Sequence, residues 1–74
     1  MSSFRVTFKR DARPGKRGEY PMLSAWVTPR DDMTAADLAM RAVHSVGLTS
    51  ADVTDGQWSN IVRQCRQGLA RMMS

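Results

Sequence analysis

The sequence predicts an α+β fold, an antiparallel β-hairpin packed on two α-helices in the order β-β-α-α, and three patterns carry that expectation. Two short runs, residues 4–9 and 23–28, alternate apolar with polar side chains, the period of a half-buried strand. Two later runs, about 35–46 and about 55–73, repeat apolar residues at helical spacing behind capping residues. All 74 residues read as one domain, 1–74, near the smallest size at which a single core stands without staples.

The hairpin spans 3–28. In its first strand Phe4, Val6 and Phe8 alternate with Arg5, Thr7 and Lys9; in its second Leu23, Ala25 and Val27 alternate with Met22, Ser24, Trp26 and Thr28. Pro21 opens the second run and Pro29 follows it, the two places a strand tolerates proline. Between the strands, Arg13-Pro14-Gly15-Lys16 has proline and glycine at the central positions of a type II turn. A register that pairs Phe4 with Ala25 and Val6 with Leu23 keeps both apolar sets on one face. The opposite face then carries Arg5, Thr7 and Lys9 beside Tyr20, Met22 and Trp26. That is rich for a solvated surface, so it is expected to be covered or to bind something. Two strands alone leave both sheet edges and this face open, so the chain is expected to be a monomer or a homodimer joined through an edge or the face.

Thr34-Ala35-Ala36-Asp37 is an acidic capping box, and Gly47 is a natural helix terminator. Asp37 and Arg41 are spaced as an i,i+4 ion pair. After a connection that holds at most one helical turn, Thr54 to Gln57 repeat the capping signal. Trp58, Ile61, Val62, Cys65, Leu69 and Met72 then form an amphipathic stripe, with Trp58 read as core.

Catalysis finds little support. A Cys/His dyad would need Cys65 and His44 to meet, but Cys65 lies in an apolar stripe and His44 on the polar side of its helix. One cysteine and one histidine exclude a four-ligand zinc site and an internal disulfide. The aspartates at 31, 32, 37, 52 and 55 cluster where helices start, so capping accounts for them. No metal, no cofactor and no enzymatic activity are expected. No run is apolar over membrane-spanning length, and the single reduced thiol fits a cytoplasmic location.

Charge carries the functional signal. Residues 1–30 hold seven Lys/Arg against two acids (+5), residues 31–55 one Arg against five Asp (−4), and residues 56–74 three Arg (+3). Lys9, Arg10, Arg13, Lys16 and Arg17 crowd the hairpin loop. They read either as a solvated turn or as a basic finger for an acidic surface. No phosphate loop is present, since Gly15 and Gly18 precede a strand and not a helix. Arg63 and Arg66 share the outer side of the second helix; the connection 47–54 is too long for a helix-turn-helix.

With these elements in place, 4–9, 23–28, 35–46 and 55–73, the chain resembles in size and layout the small phage- and prophage-encoded inhibitors, anti-CRISPR proteins among them. That resemblance implies a stoichiometric, cofactor-free inhibitor. Many such proteins are acidic DNA mimics, and this basic chain departs from them. The expectation is a binding protein directed at an acidic protein surface or a nucleoprotein complex. Its contact residues would be Lys9, Arg10, Arg13, Lys16, Arg17, Tyr20, Met22, Trp26, Arg63 and Arg66. The alternative is a nucleic-acid-binding module that sets the basic loop on a phosphate backbone.

Overall fold

The structure, a computed structural model, describes residues 2–11, 21–30 and 32–73. The expected turn at 13–16, and Arg13, Lys16, Arg17 and Tyr20, lie outside the described residues.

The order is β-β-α-α as expected. Strand β1 (Phe4–Phe8) pairs antiparallel with β2 (Leu23–Val27), followed by helix α1 (Ala35–Ser45), a short 3-10 turn (Ser50–Asp52) and helix α2 (Asp55–Met73). The core face of the hairpin packs on both helices, α1 chiefly against β2 and α2 chiefly against β1. Val6, Phe8, Leu38, Val43, Ile61 and Cys65 are fully buried at the centre. Among the described residues no buried side chain is polar or charged, so the core needs no internal hydrogen-bond partners.

The register differs by two residues from the expected one. Phe4 faces Val27, Val6 faces Ala25 and Phe8 faces Leu23. Both registers put the same side chains on the core face, so hydrophobic patterning does not separate them. Ladder chemistry does. Thr7 turns its N–H and C=O outward to another group, so Val6 and Phe8 carry the bonds to β2. The shorter register would have set Phe8 opposite Pro21, which has no N–H to give. The observed one places Leu23 there.

Helix α1 starts and stops as its sequence dictates. Thr34 accepts from the Asp37 N–H at 3.1 Å, and the Asp37 carboxylate accepts from the Thr34 N–H at 3.1 Å. At the other end Gly47 has φ +79°, its N–H donates to the His44 carbonyl, and Leu48 donates to Val43. This is a Schellman stop, and it uses the left-handed backbone that glycine adopts without strain.

Helix α2 closes the β1 edge of the sheet at Thr7 and Lys9, contrary to the expectation of two open edges. The Gln64 side chain accepts from the Thr7 N–H at 3.0 Å and donates to the Thr7 carbonyl at 2.7 Å. Two helical turns earlier, Gln57 Oε1 accepts from the Lys9 N–H at 3.1 Å. Two side-chain amides thus take the places a third strand would fill. The Gln57 N–H does donate to Thr54 Oγ1 as the capping signal predicts, but its side chain serves the strand.

The stripe of α2 keeps Cys65 at its centre, but its ends are less buried than expected. Ile61, Cys65 and Gly68 face the core, Trp58 and Leu69 are half-buried against it, and Met72 is exposed. The Phe4 ring fills the space over Gly68.

Candidate functional site

Strand parity places Arg5, Ser24 and Trp26 on the face of the sheet turned away from the helices, and all three are exposed. Arg5 stands directly across from Trp26, and Thr7 across from Ser24. The Ser3 and Thr28 hydroxyls continue the row with a 2.7 Å hydrogen bond. Met22 lies just before β2 with the same parity. Trp26 is 67% exposed and Met22 57%. These two expected contact residues therefore share one open face, with Arg5 added to them.

The basic residues of the hairpin divide. Lys9 is half-buried, and its N–H is held by Gln57. Arg10 is half-buried too and sets a guanidinium nitrogen 3.5 Å from Asp52 Oδ1, while the Asp11 N–H donates to the Asp52 carbonyl. Arg10 thus ties the end of β1 to the 3-10 turn and is not part of an extended finger. Asp52 also accepts from the Thr49 N–H and hydroxyl, closing a capping box of its own.

Arg63 and Arg66 are exposed on α2, the helix beside β1, and Arg63 bonds to Asn60 Oδ1 at 3.1 Å. Trp26 belongs to β2, on the flank of α1. The structure does not gather the α2 arginines and Trp26 into one constellation.

Besides this open face there is a concavity that the sequence pattern did not predict. An open groove of about 430 Å³ lies between the end of β2 and the last turns of α1, lined by Trp26, Val27, Thr28, Arg41, His44 and Ser45. Arg41 was expected to pair with Asp37, but Asp37 spends its carboxylate on the Thr34 N–H, and no ion pair joins it to Arg41. Hydrogen bonding from Thr34, first from its backbone N–H and second from its side chain, holds the Asp37 carboxyl below its ordinary range. The guanidinium of Arg41 is left exposed over the groove.

Cys65 is fully buried, and burial pushes its thiol up to about 11. A thiol in that state is a weak nucleophile at neutral pH. His44 is exposed on the groove side of α1. Among the described residues no group of three His, Cys, Asp or Glu side chains could hold a metal ion. No helix among them is long and apolar enough to cross a membrane. No protein-family model, curated protein or solved structure matches the chain.

Proposed function

We propose that the chain is a non-catalytic binding protein that occupies a surface of another protein or nucleoprotein complex and so blocks it, in the manner of the small phage inhibitors it resembles. The supporting observation is the exposed pair Trp26 and Met22 on a sheet face beside Arg5. Covering the exposed part of one tryptophan is worth about 3 kcal/mol at the usual value per unit of apolar area. Tryptophan and arginine side by side are the residue types that dominate interface energetics. The net charge of +4 favours an acidic target and acts mainly on association rate. Arg13, Lys16 and Arg17 supply that attraction in this reading, and Arg63 and Arg66 extend it at long range.

The test is capture from a host lysate by the wild-type chain and by a Met22→Ser/Trp26→Ser variant, with and without nuclease. The expected outcome is a partner retained through nuclease treatment by the wild type and lost by the variant. Equal retention by both would overturn the reading. Loss on nuclease treatment would instead favour nucleic-acid binding. In that case fluorescence anisotropy with labelled DNA and RNA across a salt series would count the phosphates contacted.

A further inference from the structure

The two edges of the sheet are unlike. Thr7 points its N–H and C=O away from β2, so Thr7 and Ser24 form a non-hydrogen-bonded pair of the antiparallel ladder. By the same alternation Ser24 and Trp26 point their backbone groups away from β1, out of the sheet. On the β1 side the outward groups of Thr7 meet Gln64 and the Lys9 N–H meets Gln57, which closes that edge at its C-terminal half. On the β2 side neither Ser24 nor Trp26 has a backbone hydrogen-bond partner among the described residues. An edge of this kind is a template for another strand.

The groove lined by Arg41, His44 and Ser45 lies alongside the C-terminal end of that edge. A strand added to β2 would pass its side chains alternately toward the outer face and toward α1. Those directed toward α1 would meet the Arg41 guanidinium, which no carboxylate of this chain among the described residues neutralises, and the His44 imidazole. Trp26 would flank the other side. From this juxtaposition we infer that the β2 edge and the α1 groove form one site for an extended acidic peptide segment of the partner, joined by strand addition, with a carboxylate received by Arg41.

Charge selects this occupant over a second copy of the chain. Pairing β2 with β2 would bring Leu23–Val27 of the copy to the edge, a strand without an acidic residue to offer Arg41. Strand addition supplies affinity through main-chain bonds and specificity through alternate side chains. The inference rests on the protein-directed reading of the chain and names the form of its target.

Amide-resolved NMR tests it, with a short capped peptide alternating Val and Asp as the probe and its Val/Lys counterpart as control. The Val/Asp peptide is expected to shift the Ser24 and Trp26 amides and to slow their hydrogen exchange, whereas the Val/Lys peptide leaves them unchanged. Ser24→Pro removes an outward N–H that takes no part in the β1–β2 ladder, a position where an edge strand accepts proline. It is expected to abolish peptide binding with the remaining spectrum intact. Arg41→Gln, an exposed change that keeps Ser24 native, is expected to weaken binding about ten-fold and to remove most of its salt dependence.

Absence of any shift at Ser24 and Trp26, or equal binding of the two peptides, would overturn the inference. So would β2–β2 pairing detected as a concentration-dependent dimer that excludes the peptide. If partner capture survives in Ser24→Pro but fails in Met22→Ser/Trp26→Ser, face binding stands and strand addition falls. If capture survives in both, both readings fall.

Discussion

The ring of Phe4 occupies the space that a side chain at Gly68 would need: a Cβ there would stand 2.6 Å from the Phe4 ring carbons. Strand β1 and helix α2 therefore approach each other more closely at this point than any other residue would permit. A glycine inside a 19-residue helix is unfavourable by about 1 kcal/mol relative to alanine, a propensity cost that the Phe4 packing works against.

Replacing this glycine gives the first prediction. Gly68→Ala gains helix propensity yet is expected to lower stability by about 1–3 kcal/mol, because the buried Phe4 ring must shift within the core. Urea denaturation measures it, and Phe4→Leu in the same chain should recover part of the loss. A more stable Gly68→Ala protein would show that the contact is loose.

Closure of the β1 edge by Gln64 is tested by Gln64→Leu, which keeps the bulk and removes both bonds to Thr7. Two hydrogen bonds to half-buried backbone predict a loss of about 1–3 kcal/mol. The more specific readout is hydrogen exchange. The Thr7 amide should lose protection, whereas the amides of Val6 and Phe8, which belong to the ladder with β2, should change less.

Among the described residues two groups contribute pH dependence in opposite directions. The Asp37 carboxyl is depressed in the fold, so its contribution is present above its ordinary value of 3.8 and fades as pH falls through that value toward the folded one. The difference in Tm between wild type and Asp37→Asn should accordingly shrink below about pH 4. The Cys65 thiol is raised from 9.0 to about 11, so its contribution is intact below pH 9.0 and is lost as pH rises from there through about 11. A Cys65→Val chain should lack that alkaline decline relative to wild type. A thiol reagent at neutral pH should label Cys65 only as fast as the protein opens.

Trp26→Ser separates function from stability. The indole is 67% exposed, so its loss should change unfolding free energy by no more than about 0.5 kcal/mol. Partner dissociation, by contrast, should accelerate at least ten-fold. A variant that folds poorly would place Trp26 in the stability of the hairpin instead.

Arg10→Gln should behave in the reverse manner from neutralising Arg13, Lys16 and Arg17. It removes the bridge to Asp52 that fastens the end of β1, so a modest loss of up to about 1 kcal/mol is expected. Neutralising the other three should reduce association rate at low salt and leave thermal unfolding nearly unchanged.

The elements were legible in the sequence because each rests on local chemistry: alternation in the strands, Thr34 and Asp37 at one helix start, Gly47 at its end. The register was not, since Phe4, Val6 and Phe8 keep the same face in either alignment, and the missing N–H of Pro21 is the quieter signal that decides. Edge closure was hidden by a second reading of the same residue. Gln57 looked like half of a capping box, and its spacing of seven from Gln64, along a line bordering the apolar stripe, was the available sign. Trp26 and Met22 followed from parity alone. Arg41 and His44 did not, because an aspartate four residues before an arginine looks satisfied, whereas Asp37 turns back to Thr34.

With Gln57 and Gln64 seated along one border, the sheet accepts a newcomer on one side only. Sheets that lengthen into fibres need two receptive borders, so that each arrival exposes a fresh one to the next. Here a second guest finds the far border blocked at Thr7 and Lys9 by the chain's own helix. A hairpin of two strands with an uncovered tryptophan would ordinarily be a seed for uncontrolled stacking. The pair of glutamines turns it into a valence of one.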